Sequence, residues 1–248
     1  MDLGLSGRRV AVAAASAGLG FASASSLAAA GAQVAICGRD RSRIDEAAAR
    51  IGRGCIPIVC DVADAVGGER FVAAAVDALG GVDVLVCNAG GPPPGTFAST
   101  TLDAYGPALD LNLLSVVGMC RAAIPSMIER RWGRVVAITS LSVRQPMPTL
   151  ILSNTARAGV TGFLKTVARE VAPFGVTVNS VQPGLHATDR MTALYGQTPD
   201  AAALGVPAGE LGRPEDFGDV VAFLCSESAR FVTGAQLHVD GGSYAGLQ

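Results

Sequence analysis

Short, uniformly apolar runs alternate along this chain with longer, Ala-rich amphipathic stretches. Val10–Ala14, Val34–Cys37, Ile56–Cys60, Val82–Cys87, Arg134–Thr139, Val176–Val181 and Leu237–Val239 have strand length and little inside–outside alternation. Between them, Phe21–Ala30, a charged stretch from Arg41 to Ile51, and Glu69–Leu79 have helical length and spacing. Strands that are apolar on both faces, each followed by a helix, imply a parallel sheet covered on both sides. Right-handed crossovers then predict one α/β domain over residues 1–248. Its architecture is a Rossmann-type, doubly wound parallel sheet of about seven strands, with ligands at the carboxyl ends of the strands.

Composition narrows the class further. Only 16% of the residues are charged and half are hydrophobic, so one large two-sided core can be filled. A net charge of -2 offers no basic surface for nucleic acid or an anionic membrane. The six cysteines show no C-x-x-C spacing and there are two histidines, so no metal site is expected. Cys37, Cys60 and Cys87 end apolar runs and read as small buried thiols. Without a leader-like N-terminus or a run of 18 apolar residues, the expected setting is soluble and cytoplasmic. Gly90–Thr96 (GGPPPGT) and Tyr195–Gly212 read as loops, and the region 188–212 as a lid over a substrate pocket.

The first chemical signal is VAVAAASAGLG at 10–20, a strand running into a turn with Gly18 and Gly20 and then a helix. Small residues there let the backbone approach a pyrophosphate, whose charge is favoured at a helix N-terminus. The turn by itself says little, but four more segments follow in order: CDV at 60–62, CNAG at 87–90, PG at 183–184 followed by Thr188, and GRPEDFGDVVAFLCSESARFVTGAQLHVDGG at 212–242.

Together these segments resemble the short-chain dehydrogenase/reductase family over essentially the whole chain. The family turn T-G-x-x-x-G-x-G maps onto Ala13–Gly20, with Ala13 and Ala14 in place of its opening Thr and Gly. The resemblance implies a dinucleotide held by Ser16, Gly18, Leu19 and Gly20 at the pyrophosphate, and by Asp61 and Val62 at the adenine. It also implies contacts from Asn88, Ala89 and Gly90, and from Pro183, Gly184 and Thr188 near the nicotinamide. The second strand ends in CGRD, with Gly38 where an acidic residue would read the ribose of NAD and Arg39 beside it. A guanidinium pairs with a 2′-phosphate, so NADP(H) is expected over NAD(H). The competing reading is that Arg39, beside Asp40, Arg41 and Arg43, merely opens a solvated helix.

Reduction in this family uses Asn, Ser, Tyr and Lys. Asn112, seven residues after Tyr105, and Ser140, after RVVAIT, match the first two. Thirteen residues past Ser140, where the Tyr belongs, stands Ser153; four further on, in place of the Lys, stands Arg157. Lys165 lies two helical turns beyond and does not substitute. Ser153 and Arg157 share a helix face, so both are expected to face the pocket. An aliphatic hydroxyl is a far weaker acid than a phenol, and Arg157 stays protonated but can bind ribose or phosphate oxygens. Other candidate proton routes are His186 after the PG turn, Tyr195 in the lid, and water relayed through Ser140 and Asn112. His186 pointing outward is the alternative for that residue.

The expected activity is therefore NADPH-dependent reduction of a carbonyl or related group in a small molecule, by an altered proton route. The alternatives are a non-redox isomerase, dehydratase or cyclase on the same scaffold, and a non-catalytic NADP(H)-binding protein. The family's association helices correspond to Leu109–Met127 and Thr149–Ala172, long and largely apolar here, so a homotetramer or dimer is expected.

Overall fold

A computed structural model describes residues 2–196 and 199–247 of the chain; positions 197 and 198, inside the expected lid, lie outside the described residues. Seven strands form one parallel sheet: β1 (Arg9–Val12), β2 (Gln33–Gly38), β3 (Ile56–Val59), β4 (Val84–Cys87), β5 (Gly133–Ile138), β6 (Val176–Pro183) and β7 (Gln236–Val239). Their order is β3-β2-β1-β4-β5-β6-β7, so the connection from β3 to β4 crosses back over β1 and β2. That reversal opens a crevice at the carboxyl ends of β1 and β4, where doubly wound folds hold ligands.

The strands read as continuous apolar runs because each faces two cores. Ala11 and Ala13 belong to one core, with Phe71, Met119 and Leu164. Their neighbours Val10 and Val12 belong to the other, with Leu27, Ile44 and Phe217. Helices α1 (Gly18–Ala29), α2 (Arg41–Ile51) and α8 (Pro214–Cys225) cover the second face. The first is covered by α3 (Ala65–Leu79), α5 (Ser115–Glu129) and α6 (Ile151–Val171). Short helices α4 (Tyr105–Leu109) and α7 (Asp189–Tyr195) complete the set.

Several expected boundaries move, each for a physical reason. Helix α3 starts four residues before the expected Glu69, capped by Asp64, whose Oδ1 accepts from the Gly67 amide at 2.7 Å. Gly67 and Gly68 conceal that start, since glycine disfavours helix. They are needed for contact: a methyl on Gly68 would overlap the Ser115 carbonyl, and one on Gly118 the Ala65 carbonyl. Strand β1 stops at Val12, and α1 begins at Gly18 rather than Phe21, because Ala13–Ala17 already form the turn. The stretch Tyr195–Gly212, expected as loop, begins at the last residue of α7. Leu102–Glu129 is long and apolar enough to cross a membrane by length and composition, yet half of its apolar 18-residue stretch is buried in the fold.

Candidate functional site

The turn after β1 is tied down on both sides. The Ala13 amide donates to the Val86 carbonyl at 3.0 Å and the Ala15 amide to the Cys37 carbonyl at 2.9 Å, lashing it to β4 and β2. Ala14, where the family has Gly, sits at φ +47°, in the left-handed region. The turn therefore keeps its shape despite the Ala, at a backbone cost of about 1 kcal/mol. The Asn88 amide nitrogen donates to the Ala14 carbonyl at 3.0 Å. A Cβ on Gly20 would stand only 2.6 Å from that nitrogen and 2.8 Å from the Ala14 oxygen. Gly20 is thus fixed by close approach, and the start of α1, with neither a capping side chain nor an acid in its first turn, is left to an outside acceptor.

At the end of β2, Gly38 is buried, and a Cβ there would touch Ser16 at 3.5 Å. Arg39 is exposed and, among the described residues, forms no ion pair. Asp40 is occupied as the cap of α2, accepting from the Arg43 amide at 2.9 Å, and Arg41 pairs with Asp45 at 3.6 Å. Past β3, Asp61 is exposed over a buried Val62. Past β4, Asn88 and Ala89 are half-buried and Gly90 is exposed. The Asn112 Nδ2 donates to the Gly90 carbonyl at 2.8 Å. Asn112 is buried within a π-helical turn, Asp110–Leu114, between α4 and α5. Such bulges concentrate at functional sites.

Beyond β5, Ser140 opens a 3-10 turn, Leu141–Val143, and its Oγ accepts from the Ser142 amide at 3.1 Å. Helix α6 carries Ser153 and Arg157, both buried. Arg157 Nη1 donates to the Ile138 carbonyl at 3.1 Å, its one hydrogen bond among the described residues. Burial, with the charge of Arg190 beside it, lowers its pKa to about 10, so it remains a cation at neutral pH. Lys165 instead donates to the Gly234 carbonyl at 2.9 Å, away from the site.

From β6, Pro183 and Gly184 lead to Thr188, whose methyl would be 3.7 Å from a Cβ on Gly18; Thr188 thus stands over the first turn. His186 does not point outward: it is buried, packed edge-on against Phe217 with centroids 5.2 Å apart. Its Nδ1 donates to the Gly184 carbonyl at 3.2 Å, and a methyl on Gly212 would strike its ring. Burial lowers its pKa, opposed by that hydrogen bond and by the charges of Asp216 and Asp240. These contacts set His186 to hold the segment after β6 against α8. Tyr195 is exposed at the end of α7. Beside the site lies an open, largely apolar cavity of about 320 Å³, lined by Pro92, Pro93, Pro94, Leu111 and Leu152 among others.

Two features were not foreseen. Gly91 lies beneath Arg190: a methyl on it would collide with that guanidinium. Arg190 and Arg157 are also close enough for one to lower the other's pKa. The sequence hint was only that Arg190 follows Thr188 by two positions.

Crevice, small-residue turn and polar groups past β5 define a doubly wound α/β protein with its ligand cleft at the strand ends. Residues 13–244 match the family model described as Enoyl-(Acyl carrier protein) reductase. Dehydrogenase/reductase SDR family member 4 of Homo sapiens is 35% identical over 223 residues, 88% of this chain and 80% of that protein. An NADPH-bound short chain oxidoreductase from Pseudomonas aeruginosa PAO1, described as containing an atypical catalytic center, is 32% identical. It superposes with a TM-score of 0.90 over 98% of this chain and 100% of its own. L-Sorbose reductase from Gluconobacter frateurii, complexed with NADPH and L-sorbose, is 28% identical with a TM-score of 0.92, covering 100% of both chains. The chain belongs to the short-chain dehydrogenase/reductase family, and it is an oxidoreductase acting on small molecules.

Proposed function

We propose that this protein is an NADPH-dependent reductase of carbonyl or related C=X groups whose proton does not come from a tyrosine. The observation that carries the reading is Arg157: buried, cationic, and without an ion-pair partner among the described residues, it bonds to Ile138 at the end of β5, two residues before Ser140. A desolvated cation with one carbonyl partner is costly unless an anionic or oxygen-rich ligand completes it. The small-residue turn supports a pyrophosphate there, Gly20 leaving backbone room that a Cβ would fill. Gly38 with the unpaired Arg39 supports NADP(H), and both structural relatives described above were seen with NADPH.

When bound, the nicotinamide supplies the hydride. Ser16, Gly18, Leu19 and Gly20 would hold the pyrophosphate and Arg39 the 2′-phosphate. Asp61 and Val62 would hold the adenine, with Asn88, Ala89, Gly90, Arg157, Pro183, Gly184 and Thr188 along the ribose and nicotinamide. Ser140 Oγ already accepts a hydrogen bond from the Ser142 amide, so its own proton is left to donate to a substrate oxygen. Ser153 is too weak an acid to replace a phenol. Asn112, its Nδ2 committed to Gly90, keeps a buried Oδ1 without a protein partner. That oxygen suits a water-linked proton path ending at Ser140.

The test is consumption of NADPH against a panel of ketones, enones and imines. Ser140→Ala is expected to abolish activity and Ser153→Ala to retain it. Turnover without change in nicotinamide absorbance would move the assignment to a non-redox reaction. Tight NADPH binding without any turnover would make the chain a binding protein. We place the protein in the cytoplasm as a homo-oligomer associating through α5 and α6; a monomer by light scattering at micromolar concentration contradicts that part.

A further inference from the structure

The segment between β4 and α4 encloses an apolar cavity of about 320 Å³ that none of its own side chains fills. One wall is Pro92, Pro93 and Pro94, whose rings lock the backbone and offer no N–H. Both ends of that wall are pinned. The Gly90 carbonyl accepts from Asn112 Nδ2 at 2.8 Å. At the other end, the Gly95 amide donates to the Thr149 carbonyl at 2.7 Å, and the Gly95 carbonyl accepts from the Ile151 amide at 3.2 Å. Ala104, Ala108 and Leu111 follow at helical spacing and form the floor, and Leu152 closes the back from α6. Phe97 and Leu102, from the same segment, stand 87% exposed instead of entering the cavity, while two alanines occupy its floor. The space is therefore left by the placement of side chains and not by a shortage of bulk.

We propose that this cavity receives the apolar body of the substrate, and that the substrate is an alkyl or aryl ketone and not a polyol or an acid. Position ties the cavity to the reaction: Leu111 immediately precedes Asn112 on one wall, and Leu152 immediately precedes Ser153 on another. Among the described residues, no ionisable side chain lines it. The Ser99 hydroxyl at its rim already accepts from the Thr96 amide at 2.9 Å. A carboxylate or a row of hydroxyls would lose its water there and find few partners, whereas a hydrocarbon loses nothing. At roughly 30 Å³ for each water-sized group, a volume of about 320 Å³ holds about ten non-hydrogen atoms. The ketone rests on the reductase reading above; the apolar subsite does not.

Calorimetry on the whole protein tests the subsite without any reaction. 1-Butanol, 1-hexanol and 1-octanol are titrated in turn into cofactor-free protein. Affinity is expected to rise about fourfold for each added methylene. Ala108→Leu, which plugs the floor, is expected to weaken octanol about tenfold or more. Should that variant fail to fold, Ala104→Leu places the same plug at a half-buried position. Steady-state reduction of the 2-ketones from butanone to octanone by NADPH then tests the substrate class. KM is expected to fall with chain length while kcat changes little, and Leu152→Ala to move the preferred length upward. No octanol uptake by wild type, equal uptake by wild type and the folded leucine variants, or affinity independent of chain length overturns the subsite. A KM that ignores chain length overturns the substrate class. Octanol binding that the leucine plug removes, with no ketone reduced, supports the subsite and counts against the reductase reading alone.

Discussion

At the amino-terminal end of the sheet, Arg8, Arg9, Arg130 and Arg134 each meet a carboxylate. Arg9 grips Asp83 through Nε at 2.9 Å and Nη2 at 2.6 Å, and Arg130 joins the same carboxylate at 3.4 Å. Arg8 and Arg134 flank the Trp132 ring at 3.7 and 4.4 Å and share Glu227. At the carboxyl end, Arg39, Arg157 and Arg190 have no such partner among the described residues. The first end closes its charges internally and serves stability. The second leaves three cations open over a cleft of small residues, the pattern of a site completed by an anionic ligand.

The largest break in this contrast comes from Asp83→Asn. It strands Arg9 and Arg130 and is expected to cost about 2–3 kcal/mol, less than a fully buried pair because both arginines are partly exposed. Urea denaturation measures it. Burial pushes the Asp83 carboxyl up, but the Arg9 hydrogen bonds and the charges of Arg9 and Arg130 outweigh it and leave it below its ordinary value. A depressed carboxylate pKa contributes stability present in full above about pH 4 and lost as pH falls through the folded value. The acid-side loss should shrink in Asp83→Asn.

Arg157→Met sharpens the contrast from the other end. It removes an unpaired buried cation, so the free protein should keep its melting temperature within about 2 °C. NADPH affinity should fall about 10- to 100-fold. A stability loss as large as that of Asp83→Asn would erase the distinction between the two ends. Next in size, Arg39→Ala should weaken NADPH about tenfold and leave NADH unchanged, read by nucleotide fluorescence. The smallest effect is at Ala14, whose φ of +47° suits glycine. Ala14→Gly should stabilise by about 0.5–1 kcal/mol in thermal unfolding without altering nucleotide affinity.

The sheet was legible in the sequence because its strands face two cores and read as unbroken apolar runs; the observed β2 is centred where expected and β4 ends at the expected Cys87. The start of α3 was hidden because Gly67 and Gly68 serve helix-to-helix contact, which local propensity does not report. Ser140 just after β5 and Arg157 bonded to its last residue follow strand and helix periods, whereas the bond of Asn112 to Gly90, past β4, joins segments 22 residues apart. The orientation of His186, left open by the sequence, depends on Phe217 and Gly212, distant in the chain. The same holds for the buried Arg134, read only as the start of a strand, and for Arg190 over Gly91.

The most direct test of the central claim, that the carboxyl end of this sheet is an NADP(H) site, is calorimetric titration of the wild-type protein with NADPH and, separately, NADH. The account predicts one nucleotide per chain, with NADPH at least about tenfold tighter, from the phosphate contact to Arg39. Saturation at about 100 times the dissociation constant should add about 2.7 kcal/mol of stability. Equal affinity for the two nucleotides, or no binding of either, contradicts it.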